Sequence, residues 1–313
     1  MLHVMRCVCR SSAALAVILA LPALTGCQTP VDISAVNDYV KTVNAASVGF
    51  RDVAADFGAS CLRFRELSLT EPGDLRSVPA LDAPADPTRT GPSFDFQSAL
   101  PKCRLAAGVS DQWNKRNVII VGYVRALGAI AGVDTKPTGF DALATQLQDV
   151  GVIKKATVAP FASVATTIAS MVFVGKQEAL LKKYVHDADP SLQAAVTSLS
   201  AFTQDEYMDL LRNELTLVDS RYRTSVRDHT KGAFDLIAVE SERADWLARR
   251  TSVLRRMDAA TAYADAIEKI AKTNAQLVAA SDKNMSFGAE VQVAREFVSQ
   301  IGDDVATLVK SFK

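Results

Sequence analysis

From Val36 the apolar and small residues recur in alternating steps of four and three, at Val36, Val40, Val43, Ser47, Phe50, Ala54, Phe57, Cys61 and Phe64. At 3.6 residues per turn this spacing keeps one stripe on a single helical face, as in a coiled-coil seam, and the stripe must be covered by another helix. A second seam closes the chain, stepping the same way through Phe287, Val291, Ala294, Val298, Ile301, Val305, Leu308 and Phe312. Two seams of this length imply long helices that pack side by side. A helix of thirty-five residues is about 50 Å long. Phe50, Phe57 and Phe64 admit a reading as an aromatic ligand box, but their place on the seam makes a packed core the better account.

Between the seams, residues 68–109 lose all periodicity and contain Pro72, Pro79, Pro84, Pro87, Pro92 and Pro101, the pattern of a long irregular loop. Phe94 and Phe96 are the candidates to pack it down. Ser110 then opens a helix through Trp113, Ile120, Leu127 and Ala131, apolar on every side from Val118 to Val121 and therefore expected at the bundle centre. A turn over Asp134 to Gly139 precedes a short helix over Phe140 to Val150. The stretch from Ala156 to Val174 carries no charge. Phe161, Val164, Ile168 and Val172 there suit a buried bundle helix, the wall of an apolar ligand cavity or a segment that enters a membrane. Asp189-Pro190 reads as a helix start, the aspartate capping and the proline in the first turn. Helix then continues to about Ala280 with a candidate break near Arg221 to Gly232. Its later part shows a broad apolar face through Leu247, Leu254, Met257, Ala264, Ile267, Ala271 and Val278. Arg249, Arg250, Arg255 and Arg256 read as a solvated face or as partners of nearby acids. The fold class expected is all-α, an elongated bundle of long antiparallel amphipathic helices with one long Pro-rich loop.

The N-terminus has a different character. Arg6 and Arg10 precede an uncharged apolar core from Ala13 to Leu21 and a small-residue region from Pro22, the organisation of an export signal. It ends on Leu24-Thr25-Gly26-Cys27, which resembles the lipobox of bacterial lipoproteins. That resemblance implies diacylglycerol on the Cys27 thiol, cleavage before Cys27, and acylation, such as by palmitate, of the new N-terminus. Residues 1–26 are then a signal peptide, 27–31 a short tether, and 32–313 the helical domain. Gln28 stands where an aspartate signals inner-membrane retention in many lipoproteins, so the resemblance favours the outer membrane facing the periplasm. The tether reaches less than about 25 Å, and Asp32 or Ser34 caps the first helix.

Removing 26 residues from 313 leaves 287, with 33 basic groups against 35 acids and a net charge of about −2. Nothing in that balance suits nucleic acid, which requires a clustered basic face. Attachment to a membrane is expected through acyl chains, each buried methylene contributing roughly 0.8 kcal/mol. Cys7 and Cys9 leave with the signal and Cys27 carries lipid. Cys61 and Cys103 remain as an even pair in an oxidising compartment, expected to form a disulfide, with two buried free thiols as the alternative. Closing that loop stabilises by roughly 4 kcal/mol in the chain-entropy account.

Signatures of catalysis are missing. There is no Gly-x-Ser-x-Gly elbow, no glycine-rich phosphate loop, no His-Glu-x-x-His and no helical Glu-x-x-His. His186-Asp187-x-Asp189 falls where a helix end and the next start account for it, and His229 lies in a polar stretch beside Asp228. Carboxylates such as Asp205 with Glu206, or Asp303 with Asp304, are sequence neighbours that do not converge as acid–base chemistry needs. No cofactor or metal is expected. A faint echo links Tyr123-x-x-Ala126-Leu127-x-x-Ile130-Ala131 to Tyr263-x-x-Ala266-Ile267-x-x-Ile270-Ala271, suggesting two helices with equivalent packing roles. The function expected is that of a non-catalytic envelope lipoprotein, a scaffold that binds another envelope protein. The alternatives are a carrier or sensor of an apolar small molecule or lipid, or a protein that inserts residues 156–174 into a membrane.

Overall fold

The first seam is a single helix, α1 (Ser34–Ser68), in a computed structural model that describes residues 34–68, 101–130, 138–147, 158–171, 178–229, 236–282 and 287–312. Residues 1–33, with the expected signal peptide and Cys27, residues 69–100 of the Pro-rich segment, and Val172 lie outside the described residues. Val43, Phe50 and Ala54 are fully buried on the α1 seam, and Cys61 and Phe64 are half-buried at its end.

α2 (Pro101–Ile130) begins nine residues before the helix start expected at Ser110, so the C-terminal part of the 68–109 loop is helix. Pro101 is the reason: at a first helical position its missing N–H would have been unpaired anyway and its fixed φ suits the helix. Cys103 thus sits on a helix and bonds to Cys61 with Cα atoms 5.6 Å apart, joining the first turn of α2 to the last third of α1. Val118 departs from the expectation of burial on all sides; it is 46% exposed, while Ile119, Ile120 and Val121 face the core.

A short helix follows, α3 (Phe140–Gln146), entered through Gly139 at φ +84°, a left-handed conformation that favours glycine. Its Phe140 ring fills the space beside Gly122 of α2, where an added Cβ would meet the ring at 2.0 Å. The uncharged stretch forms α4 (Val158–Ser170), with Phe161, Val164 and Ile168 buried. Among the described residues no helix is long and apolar enough to cross a membrane.

α5 (Glu178–Phe202) runs straight through Asp189-Pro190 rather than starting there. A proline inside a helix lacks the N–H for the carbonyl four residues back and crowds it. Tertiary contacts flank this point: Asn274 Nδ2 donates to the Val185 carbonyl at 3.4 Å, one residue before the carbonyl that Pro190 cannot serve, and to Asp189 Oδ1 at 2.7 Å. The Asp189 carboxylate therefore serves Asn274 and Gln193 instead of a helix N-terminus.

A π-helical turn (Thr203–Tyr207) joins α5 to α6 (Met208–His229). Its cause is visible in the buried positions Leu199, Thr203, Tyr207 and Leu211, three successive steps of four. In a regular helix each such step turns the side chain about 40° off the core; a wider turn absorbs the drift. Of the stretch Arg221 to Gly232, where a break is expected, residues 221–229 are helical and the rest lies outside the described residues. α7 (Leu236–Asp282) then spans 47 residues, about 70 Å, and α8 (Phe287–Ser311) carries the last seam. On α8, Phe297, Ile301 and Leu308 are the deepest positions, and Phe297 meets Tyr39 edge to face at 4.6 Å.

Side-chain bonds fix the directions. Pairings Cys61 to Cys103, Ala54 to Ser110 and Asn44 to Arg125 make α1 and α2 antiparallel. Asp56 to Tyr207, Arg63 to Glu214 and Glu66 to Arg221 make α1 and α6 parallel. α7 runs against α5, α6 and α8, as Gln193 to Ala271, Glu214 to Arg256 and Lys269 to Asp304 show. The described helices from Asp32 onward thus form one all-α bundle around one core, antiparallel except where α1 runs parallel to neighbours such as α6.

Across that core the two echo tyrosines are reciprocal. Tyr123 of α2 donates to Asn274 of α7, and Tyr263 of α7 donates to Asn117 of α2 at 2.6 Å. Trp113 Nε1 donates to the same Tyr263 hydroxyl at 2.8 Å, and Asn117 Nδ2 continues to the Phe50 carbonyl at 3.0 Å. Burial holds both phenols well above their ordinary pKa, so they remain donors. The packing roles are equivalent but not symmetric, since Asn117 precedes Tyr123 by six residues and Asn274 follows Tyr263 by eleven.

Candidate functional site

Asp56, Ser60 and Arg63 occupy one face of α1, at steps of four and three, immediately beside the apolar seam. That face meets Tyr207 and Glu214 of the α6 side, seven residues apart and so also on one face, and Arg256 of α7. Arg256 Nη2 donates to Glu214 Oε1 at 2.6 Å, and its Nη1 to Glu214 Oε2 at 2.8 Å, to Ser60 Oγ at 3.2 Å and to Asp56 Oδ2 at 3.4 Å. Arg63 reaches the same carboxylates, from Nη2 to Asp56 Oδ1 at 2.5 Å and from Nε to Glu214 Oε1 at 3.2 Å. Tyr207 donates to Asp56 Oδ2 at 2.6 Å. Arg256, Asp56 and Glu214 are buried, with 5%, 8% and 2% exposure.

The electrostatics follow from this geometry. Burial by itself pushes the Asp56 carboxyl up, but Arg63, Arg256 and the hydrogen bonds from Tyr207 and Arg63 outweigh it and hold the group below its ordinary value. Arg256 is held charged: burial disfavours the cation, while the bonds to Glu214 and the charge of Asp56 favour it more strongly. Burial and the Asp56 charge push Tyr207 well above the ordinary phenol. Asp56, Tyr207 and Arg256 therefore keep fixed protonation states across the neutral range. What the arrangement does is lock α1, α6 and α7 in one register, because a shift along any helix would leave a buried charge unpaired.

Of the two settings expected for the four arginines, a solvated face or pairing with nearby acids, Arg249 and Arg255 take the first as exposed residues, half-buried Arg250 pairs with Asp219, and Arg256 faces the two acids. The available signal was the polar stripe Asp56, Ser60, Arg63 directly beside the apolar seam of α1.

A cleft of about 640 Å³ opens beside the cluster, lined by Asp56, Arg63 and Arg256, by Arg255, and by Leu247, Ala248 and Phe312. Further along, α6 and α7 form a second cleft of about 310 Å³ around Tyr222 and Trp246. These rings stack at 4.6 Å, Trp246 Nε1 donates to Asp219 at 2.7 Å, and the Arg250 guanidinium lies 5.9 Å from the Trp246 ring. Glu66 and Leu67, near the end of α1, line this cleft too, and at the start of α7 Leu236 and Ile237 are 58% and 84% exposed.

The α4 residues have a different setting. Phe161, Val164 and Ile168 are at most 1% exposed, and the Arg116 guanidinium lies 5.5 Å over the Phe161 ring. They line neither cleft. His186 pairs with Asp282 across α5 and α7 at 3.1 Å, and Asp187 with Lys183 at 2.7 Å. Among the described residues no group of three His, Cys, Asp or Glu is arranged to hold a metal ion.

No family model, no curated protein and no solved structure matches this chain.

Proposed function

We propose that this chain is a non-catalytic lipoprotein of the bacterial envelope, anchored in the outer membrane by acyl chains on Cys27, whose helical bundle presents a docking surface to another envelope protein. The observation that carries this reading is the α6–α7 hairpin. α1 begins at Ser34, seven residues after Cys27, and α6 runs parallel to it, so the hairpin is built at the end of the bundle opposite the α1 start. α7 is about 70 Å long, and the exposed Leu236 and Ile237 lie at its start. The stacked Tyr222 and Trp246 hold the two helices together beside the end of α1.

Two experiments test the two halves. Labelled palmitate incorporated into the full chain and lost in Cys27→Ser, together with its release from the membrane fraction, supports the anchor; unchanged labelling refutes it. Photo-crosslinking in living cells from Ile237 and Arg243, with Arg51 on the opposite part of the bundle as control, tests the docking surface. Adducts to one envelope protein from the hairpin alone support the reading; adducts from Arg51 and none from the hairpin overturn it.

A further inference from the structure

The 640 Å³ cleft beside the buried ionic cluster has unused hydrogen-bonding capacity of one sign. Within the cluster each carboxylate is fully engaged: Asp56 accepts from Tyr207, Ser60, Arg63 and Arg256, and Glu214 from Arg63 and Arg256. The donors are not exhausted. Arg63 uses Nε and Nη2, and its Nη1 makes no hydrogen bond among the described residues. Arg255 lines the same cleft, is exposed, and has neither an ion pair nor a hydrogen bond among the described residues. Three arginines against Asp56 and Glu214 leave one positive charge in excess. Along α7, one to two turns before Arg255, the lining turns from Thr251 and Ser252 to Leu247, 46% exposed, and Ala248, with Ser311 and Phe312 at the end of α8 completing the cleft.

We propose that this cleft binds an anionic amphiphile, an oxyanion such as a phosphate monoester or carboxylate held by Arg63 Nη1 and Arg255, with its alkyl body along Leu247, Ala248 and Phe312. The volume lies within the range of small-molecule sites, about 300–1,000 Å³, and a guanidinium is suited to planar pairing with such an oxyanion. Inorganic phosphate satisfies the cations but leaves these apolar side chains wet. An alkyl phosphate satisfies both, which is why the amphiphile is the occupant expected. The inference does not rest on the docking role of the hairpin, since it concerns a different face and different residues.

The test is calorimetric titration of the full chain carrying Cys27→Ser, so that no acyl chain of its own competes, with decyl phosphate below its micellar concentration. Inorganic phosphate and decyltrimethylammonium serve as the comparison probes. Saturable one-to-one binding of decyl phosphate is expected, weakened about fivefold in Arg255→Ala, more in Arg255→Glu, and several-fold in Leu247→Gln. Both residues are exposed and outside the buried cluster, so these variants fold, as an unchanged melting curve verifies. No saturable binding, equal binding of the cationic surfactant, or affinity indifferent to Arg255→Glu overturns the proposal. Inorganic phosphate binding as tightly as decyl phosphate overturns the amphiphile and leaves a plain anion site.

Discussion

Removing Arg256 tests the reading of the ionic cluster as a register lock. In Arg256→Ala, Glu214 loses the bonds at 2.6 and 2.8 Å and keeps only Arg63 Nε at 3.2 Å, while Asp56 keeps Arg63, Ser60 and Tyr207. Breaking a buried ion pair from one side costs about 3–5 kcal/mol. Because Arg63 remains, the loss belongs at the low end, about 3 kcal/mol. For a chain of this size each kcal/mol shifts Tm by roughly 2–4 °C, so melting followed by helical circular dichroism moves down by about 6–12 °C. Arg255→Ala, one position away but exposed, changes stability by less than about 0.5 kcal/mol. The double variant Glu214→Leu with Arg256→Met removes both charges and leaves Asp56 with Arg63, so it is more stable than Arg256→Ala alone. The pH dependence has a definite sign. Asp56 is held below its ordinary value of 3.8, so its contribution is complete above that value and is lost as pH falls through the folded-state pKa. Arg256→Ala removes one of its cations, raises that folded-state pKa and moves acid unfolding to higher pH. A loss under about 1 kcal/mol, or a double variant no better than Arg256→Ala, refutes the register argument.

Three further perturbations probe neighbouring features. Tyr207→Phe removes a donor to the buried Asp56 carboxylate, costing about 1–3 kcal/mol and raising the pH of acid unfolding, both measurable in urea titrations across pH. Replacing Cys61 and Cys103 by serine frees the end of α2 from α1 and lowers stability by about 2–5 kcal/mol, while reductant leaves the double variant unaffected and destabilises the parent. Gly122→Ala drives a Cβ into the Phe140 ring, costing about 1–3 kcal/mol, and hydrogen exchange should show the loss of protection concentrated in α3.

The all-α class, the two seams and the Cys61 to Cys103 pairing were legible because each follows from local rules: 3.6-residue periodicity, and an even pair of cysteines once the signal and Cys27 are set aside. The start of α2, the passage of α5 through Pro190 and the π-helical turn were not. At Pro190 a local rule predicts a helix start with Asp189 as its cap, but in the fold that carboxylate accepts from Asn274, eighty-five residues further on, and from Gln193. The ionic cluster was hidden for a related reason. Arg255 and Arg256 are adjacent and chemically identical, so the sequence offered both the same two settings, a solvated face or pairing with nearby acids. The 100° between neighbouring residues on a helix sends one into solvent and the other toward Asp56 and Glu214, residues separated from it by 200 and 42 positions. Periodicity by itself determined that these helices form and bury a stripe. Which buried charges meet, and which arginines retain free donors at a cleft, was decided by tertiary structure, because desolvation and pairing depend on what the opposing helix brings.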